Sequence, residues 1–250
     1  MTVVRLLLAY DGTSFHGWAR QRRVRTVQGV VEEALGRLLD PEPRLSVAGR
    51  TDAGVHAAGQ VASFVAPSGL DPVRVQRMLN GVLAPEVVVL DARVAPDAFD
   101  ARFSATEREY LYRIDTGPVP DPFNARFVWH RAGHLAIGRM RAAARLLVGR
   151  HDFASFCRSP QAPATTVRTL RTLAVSPSVD AIEIRAAAQS FLHQMVRSLV
   201  ATLVAVGEGR LEADALPGIL EARHRNAAPQ MAPAHGLILV RVRYGARRAS

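Results

Sequence analysis

The sequence predicts an α+β protein of two halves, each built from a mostly antiparallel sheet and two main helices. Two observations predict this class. Apolar runs of strand length, rich in β-branched residues, alternate with longer segments in which apolar residues recur at helical spacing. This alternation fills both parts of the 250-residue chain, a length that two modest domains can share. We place the division between an N-terminal half, 1–104, and a C-terminal half, 105–250.

The N-terminal half contains two predicted helices between strand-like segments. Thr26 is a suitable N-cap for the first helix, Pro41 prevents its continuation, and Pro72 fits the first turn of the second. In chain order the predicted elements are a strand at Val3–Tyr10, a helix at Val27–Leu38, strands at Arg44–Arg50 and Gln60–Ala66, a helix at Asp71–Leu83 and a strand at Val87–Val94.

The C-terminal half has the same character, although no convincing sequence repeat relates it to the first. Its longest helix is predicted to begin with Ser190 as a cap and to end at Gly207. In chain order the predicted elements are a strand at Tyr110–Asp115, a proline-rich loop, a helix at Leu135–Val148, strands at Val167–Val175 and Ala181–Ala187, helices at Ser190–Gly207 and Glu212–Ala222, and a strand at Leu237–Tyr244.

The composition excludes several classes of site. None of the 32 basic residues is a lysine, so a Schiff-base lysine, a pyridoxal phosphate anchor and a Walker A lysine are all impossible. The single cysteine, Cys157, excludes an internal disulfide and a multi-cysteine zinc site. No apolar run approaches the roughly 20 residues that span a bilayer. We therefore expect a cytoplasmic protein without a membrane segment.

The net charge of +10 favours a polyanionic partner, because guanidinium groups bind phosphate bidentately and stack on bases. An arginine cluster follows the first strand and is a suitable place to grip RNA phosphates; a merely solvated basic surface explains each of its members about as well. The cluster consists of Arg20, Arg22, Arg23 and Arg25.

The sequence AGRTDAGVHAAGQ, Ala48–Gln60, reads as a tight glycine-shaped connection between two strands. It can present Arg50, Thr51 and Asp52 to a ligand. A loop aspartate is also a common former of Asx turns, and His56 can equally be a turn residue that bonds the backbone. The pattern alone leaves these alternatives open.

Two further segments combine arginine with aromatic or apolar residues. In ARFSATEREYLYRI, Ala101–Ile114, aromatic rings alternate with arginines, as in surfaces that stack bases; Tyr110 and Tyr112 share one sheet face and can equally be core residues. In FLHQMVRSL, Arg197 lies within an apolar helix and needs a carboxylate partner, which a structural ion pair would also supply.

These segments carry a resemblance to a known family. The blocks YDGTSFHGW, VQGVVEEAL, AGRTDAGVHA, ARFSATEREYLYRI and FLHQMVR occur in the order found in the tRNA pseudouridine synthase A family. The likeness runs from about Val4 to Tyr244, and the GRTDAGVH block is highly specific to that family. The departures from the family pattern are mild, and we expect them to affect details of RNA contact rather than the reaction. They are Ala19, Ser198 and His235.

The resemblance implies two ferredoxin-like halves packed around a central active-site cleft. It implies that Asp52 is the catalytic carboxylate, that Tyr110 stacks on the target uracil and that Arg197 pairs with Asp52. Arg50 would hold the target nucleotide out of its stack. The family works as a homodimer on uridines 38, 39 and 40 of the tRNA anticodon stem-loop, without a metal or organic cofactor.

Two other functions compete with this interpretation. A non-catalytic RNA-binding protein of paired ferredoxin-like modules would explain the charge and the aromatic–arginine pattern, but not the compact Arg-Thr-Asp loop. A nucleoside hydrolase or base deaminase fits less well. The zinc deaminases need a Cys-x-x-Cys pair, and a glycosidase usually needs a second carboxylate near the first; none stands out around Asp52.

Overall fold

A computed structural model describes residues 1–158, 165–179 and 181–245. Its contacts divide the chain into two compact units, residues 1–108 with the chain from 238 onwards, and residues 109–237. The change of unit lies between Arg108 and Glu109, four residues beyond the predicted division, and the C-terminal strand groups with the first unit rather than with the second. The predicted α+β class is confirmed, as both units combine helices with mostly antiparallel strands.

The elements of the first unit follow the predicted order. They are β1 (Thr2–Tyr10), α1 (Val27–Gly36), β2 (Ser46–Val47), β3 (His56–Ala66), α2 (Pro72–Leu83), β4 (Val87–Ala95) and the beginning of β5 (Ala105–Asp115). Thr26 caps α1 as predicted, because its side chain accepts a hydrogen bond from Gly29 N. Asp71 caps α2 by accepting from Val73 N, with Pro72 in the first turn.

The second unit continues from β5. Its elements are β6 (Trp129–His130), α3 (Ile137–Leu147), β7 (Gly149–Asp152), β8 (Val167–Pro177), β9 (Ile182–Ala188), α4 (Met195–Gly207) and α5 (Leu216–Ala222). The last described strand, β10 (Leu237–Tyr244), returns to the first unit from Ile238 onwards. Nearly every side chain of α4 is buried, which explains why this helix is apolar on all sides rather than along one stripe. Among the described residues, no helix is both long and apolar enough to cross a membrane.

In the first unit the strand order is β4-β1-β3-β10, with β2 beside β3. β1 runs antiparallel to β3 and β4, while β10 pairs in parallel with β3 at Ile238 and Leu239. The order in the second unit is β5-β9-β8-β7, with β6 beside β5. The first six elements follow the strand-helix-strand-strand-helix-strand order of a ferredoxin-like unit, and β5, α3, β8, β9, α4 and β10 follow it again. The repeat that the sequence does not display is therefore present in the order of elements.

Several predicted boundaries were wrong. The longest helix begins at Met195 rather than at Ser190, because Gln194 adopts a left-handed conformation (φ 62°) that interrupts the helix, and no side chain caps it. β3 begins at His56, four residues before the predicted Gln60, so the loop that carries Asp52 is shorter than expected. The predicted strand at 44–50 contracts to Ser46–Val47.

The structure also contains strand residues that the sequence did not indicate. β5 begins at Ala105, five residues before the predicted Tyr110, and β6 and β7 have only two and four residues. Segments this short lack room for an alternating apolar pattern, so their pairing depends on the neighbouring strand rather than on their own residues.

Candidate active site

Asp52 lies in the loop between β2 and β3, within the first unit. Its side chain is half-buried, while Arg50 is exposed and Thr51 is buried with 7% of its surface exposed. The loop therefore shows the first and third residues of the Arg-Thr-Asp sequence to solvent and turns the second inward. This unit contains the predicted site residues Arg50 and Asp52 together with the arginine cluster that follows β1.

The backbone of this loop is held on both sides of Asp52. Thr51 O accepts a hydrogen bond from Trp18 N at 3.0 Å, and Asp52 O accepts one from Val55 N at 3.1 Å. Gly54 N donates to Phe15 O at 3.3 Å. Two of these partners belong to the segment that follows β1, so the YDGTSFHGW block is the structural support of the GRTDAGVH block.

Two glycines allow these segments to approach closely. A Cβ at Gly12 would lie 2.1 Å from Val55 O. A Cβ at Gly17 would lie 2.8 Å from Thr51 O, and the φ of Gly17 is +85°, a conformation that other residues rarely adopt. Both positions therefore require glycine for the loop to keep its place.

A network of buried side chains lies beneath the loop. The hydroxyl groups of Tyr10 and Thr51 are 2.8 Å apart, and Gln60 Nε2 donates to Tyr10 Oη at 3.3 Å and to Gly49 O at 2.7 Å. Tyr10 and Gln60 are 4% and 0% exposed. Burial raises the pKa of Tyr10 to about 12. The tyrosine is therefore neutral at physiological pH and keeps its hydroxyl proton.

Arg108 supports the start of the same loop. Its side chain is buried and donates to Ala48 O from both Nε (2.9 Å) and Nη2 (2.6 Å). It also donates to Ala105 O at 3.2 Å and to Arg102 O at 2.7 Å. A charged donor strengthens each of these bonds, so Arg108 ties the residue before Gly49 to the beginning of β5.

His56 bonds the backbone as expected, but it is the first residue of β3 rather than a turn residue. Its ring is 2% exposed, and Nδ1 lies 3.0 Å from Gly12 N and 3.1 Å from Asp11 Oδ1. A neutral Nδ1 accepts from Gly12 N, whereas a protonated Nδ1 donates to Asp11. In either state the ring joins the end of the loop to the segment after β1.

Tyr110 belongs to the second unit and is 8% exposed. Its ring meets the ring of Phe191 edge-on, with centroids 5.3 Å apart. Tyr112 is fully buried on the same strand and donates from its hydroxyl to Pro233 O at 2.9 Å. β5 thus supplies Tyr112 to the interior of the core and Tyr110 to the margin of that core.

Arg197, also in the second unit, is half-buried on α4 as predicted. Its Nε donates to Ala232 O at 2.8 Å, and its own carbonyl accepts from Ala232 N at 3.2 Å. Burial raises the pKa of Tyr112 and the positive charge of Arg197 opposes this shift. Burial, together with the same charge, lowers the pKa of His235. The guanidinium is therefore fixed beside the 232–235 segment, close enough to influence its neighbours.

The four arginines of the cluster fall into two groups, two that form ion pairs and two that do not do so with any described residue. Arg20 forms ion pairs with Glu32, at 3.1 Å, and with Glu42, while Arg25 pairs bidentately with Glu86, with both distances 2.8 Å. The other two members are exposed and show no ion pair with a described residue. These are Arg22 and Arg23.

Sequence reasoning missed Tyr10, Gln60 and Arg108. Gln60 left a visible signal, because a glutamine within the apolar strand HAAGQVASFVA must find hydrogen-bond partners if the strand is buried. Arg108 left a weaker one, as one of several arginines near Tyr110. Tyr10 left none, since a tyrosine that ends an apolar strand is usual in a core.

The described residues contain no group of three or more His, Cys, Asp and Glu side chains that could hold a metal ion. A pocket of about 580 Å³ in the second unit is lined by residues that include Trp129, Arg131 and Arg210, and it contains none of the predicted site residues.

Comparison with known proteins identifies relatives along the whole chain. A sequence profile of the family described as tRNA pseudouridine synthase matches residues 7–104 and 143–245. A protein of Frankia casuarinae named tRNA pseudouridine synthase A is 49% identical over 96% of this chain and 89% of its own length. Proteins of the same name from Syntrophotalea carbinolica and Bacillus subtilis are 43% and 39% identical, over 98% and 96% of this chain and 97% and 98% of theirs.

Solved structures offer a more distant likeness. The crystal structures of the archaeal box H/ACA sRNP Nop10-Cbf5 complex and of a Cbf5-Nop10-Gar1 complex match 80% of this chain at 12% and 10% identity, with TM-scores of 0.35 and 0.36. This chain spans 43% and 45% of those chains. The sequence relatives, which are far more similar, are therefore decisive: the chain belongs to the tRNA pseudouridine synthase family of isomerases.

Proposed function

We propose that the protein isomerises uridines at positions 38, 39 and 40 of the tRNA anticodon stem-loop to pseudouridine, with Asp52 as the catalytic carboxylate. One observation carries this proposal: Asp52 is half-buried on a loop whose backbone is bonded at Gly49, Thr51 and Asp52 itself. A carboxylate on a fixed backbone can meet a bound nucleotide in one geometry.

The reaction needs few protein groups. The N1–C1′ bond of uridine breaks, the uracil turns, a C5–C1′ bond forms, and the proton on C5 is released while N1 gains one. No electrons are exchanged with another molecule, so no redox cofactor is needed. Asp52 can attack C1′, attack C6 of uracil or remove the proton on C2′. All three routes require the ionised carboxylate.

Arg197 is proposed to pair with Asp52 and orient it. An arginine beside a carboxylate favours its ionised form and limits its rotamers. One contact within the second unit supports this proposal. The hydrogen bond from Arg197 Nε to Ala232 O orients the side chain and so gives the planar guanidinium group a fixed direction.

Tyr110 and Arg50 are proposed to hold the target nucleotide. A uridine within the anticodon stem must leave its stack before C1′ can be reached, and an aromatic ring can then support the base while it turns. The edge-on contact with Phe191 fixes the Tyr110 ring, and the exposed Arg50 lies two residues from Asp52 on the same loop. These positions suit a platform for the base and a cation for its phosphate.

The wider assignment rests on the resemblance to the family. We propose a homodimer that acts on tRNA in the cytoplasm without an organic cofactor or metal. Phosphate contacts are assigned mainly to Arg22 and Arg23, because Arg20 and Arg25 are already engaged by carboxylates. An arginine that must give up an ion pair gains less from meeting a phosphate than one that is exposed and unpaired.

The test is release of tritium from tRNA labelled at uracil C5. Wild type is expected to release tritium to solvent, whereas Asp52→Asn, which keeps the size of the side chain, should release none while binding tRNA with unchanged affinity. Equal release by Asp52→Asn would remove the catalytic role of Asp52. Binding without release by wild type would favour the non-catalytic RNA-binding alternative.

A further inference from the structure

The buried hydrogen bonds beneath the loop have a defined direction. Gln60 Oε1 lies 3.2 Å from Val61 N, which can only donate, and Gln60 Nε2 lies 2.7 Å from Gly49 O, which can only accept. These two contacts fix the orientation of the amide. Because the amide nitrogen then donates its second proton to Tyr10 Oη, Thr51 Oγ1 is the partner that remains for the tyrosine proton.

This network of hydrogen bonds ends at Gly49 and Thr51, the two neighbours of Arg50 in the chain. Gln60 binds the carbonyl of Gly49, and Tyr10 binds the side chain of Thr51. The three side chains come from β1, the loop and β3, and β1 and β3 are paired along nearly their whole length. The network therefore ties the loop to two paired strands of the first unit rather than to another loop.

We propose that Tyr10 and Gln60 are positioning residues for the reaction. They act through Gly49 and Thr51 to fix the direction in which the Asp52 side chain points from the loop. This proposal rests on the catalytic role of Asp52. In this proposal neither the Tyr10 nor the Gln60 side chain touches the substrate, because both are buried beneath the loop. The raised pKa of Tyr10 is consistent with this role, since a neutral phenol donates a hydrogen bond throughout the physiological pH range.

The central variant is Tyr10→Phe, which removes one oxygen and leaves the packing of the ring in place. Displacement of a catalytic group by about 1 Å can reduce a rate by roughly 100-fold, and we expect a smaller shift with a loss of roughly 10-fold in the single-turnover rate of tritium release. The KM for tRNA should stay unchanged. A role in stability alone would leave the rate constant intact once the protein is folded.

Thr51 supplies a second, independent measurement. Thr51→Val removes the same hydrogen bond from its other end, whereas Thr51→Ser keeps the hydroxyl and should restore most of the activity. The double variant of Tyr10→Phe and Thr51→Val should be no slower than Tyr10→Phe alone, because the hydrogen bond that Thr51→Val deletes is already absent in Tyr10→Phe. Losses that multiply would show that the two residues act separately and would overturn the proposal.

Tyr244→Phe is the matched control. Tyr244 lies in the same unit, is part-buried and donates from its hydroxyl to Ala101 O at 2.8 Å, so Tyr244→Phe removes a comparable hydrogen bond in which no residue of the loop takes part. All rates are measured at a temperature at which circular dichroism shows each variant folded. Equal rates for Tyr10→Phe and Tyr244→Phe would refute the positioning role, while absence of release by wild type would refute the proposed function instead.

Discussion

The contact between Gly17 and the Asp52 loop leads to a quantitative prediction for Gly17→Ala. The φ of Gly17 is +85°, and the new Cβ would lie 2.8 Å from Thr51 O and 3.2 Å from the carbonyl carbon of Asp52. Both atoms belong to the backbone, so no side-chain rotation can relieve the contact. The loop must move by about 0.6 Å for the first distance to reach the 3.4 Å of ordinary contact.

Gly69→Ala separates the effect of this contact from the effect of the backbone. Gly69 has a φ of +86°, and nothing lies within 4 Å of its Cβ position. An alanine in a left-handed conformation costs about 1 kcal/mol at either site. The contact with the loop should cost Gly17→Ala about 1 to 3 kcal/mol more, as overpacking does elsewhere.

The catalytic consequence should be confined to Gly17→Ala. A displacement of about 0.6 Å should slow single-turnover release of tritium by roughly 10-fold, whereas Gly69→Ala should react at the wild-type rate. Urea unfolding gives the stabilities, and rates are compared where both variants are folded. The reasoning fails if the two variants react equally fast, or if Gly69→Ala is the less stable of the pair.

Three further predictions concern charge and hydrogen bonding. The pKa of Tyr10 rises from 10.0 to about 12 on folding, so the folded state holds the phenol proton more tightly than the unfolded state does. The stability that this difference provides is complete below pH 10 and is lost as the pH rises towards 12. Wild type should lose about 1.4 kcal/mol more than Tyr10→Phe in urea unfolding between pH 9 and pH 11, and parallel pH profiles would contradict this. Arg108→Met should lower the free energy of unfolding by about 3 kcal/mol, since three backbone carbonyls lose a buried donor; a loss below about 1 kcal/mol in urea would show that these bonds contribute little. Replacing Arg22 and Arg23 by Gln should flatten the dependence of log Kd for tRNA on log salt concentration by about 2, whereas Arg20→Gln should leave it nearly unchanged, and filter binding that shows equal slopes would argue against the division of the cluster.

Much of the fold could be predicted because its signals are local. The apolar strand at Thr2–Tyr10, the cap at Thr26 and the helix that begins at Pro72 each depend on residues within one turn or one strand. The start of α4 could not be predicted in this way. Ser190 is an ordinary cap by residue type, but the left-handed backbone at Gln194 decides where the helix begins.

The candidate site likewise has a part that local sequence signals indicate and a part that only the structure shows. The Arg-Thr-Asp sequence and its neighbours carry the resemblance to the family, and with it the proposed role of Asp52, because these residues are consecutive in the chain. The sequence could not show that Arg20 and Arg25 are engaged by carboxylates 12 to 61 residues away, whereas no ion pair with a described residue holds Arg22 or Arg23.

By itself the sequence determined the alternation of strands and helices, the absence of lysine chemistry and the block that carries Asp52. Only the tertiary structure decided what holds that block in place. Tyr10 and Gln60 meet Thr51 and Gly49 because β1 and β3 pair, although Tyr10 lies 41 residues from Thr51 and 50 from Gln60. A hydrogen bond depends on distances of about 3 Å and on direction, and neither is recorded in a local pattern of residue types.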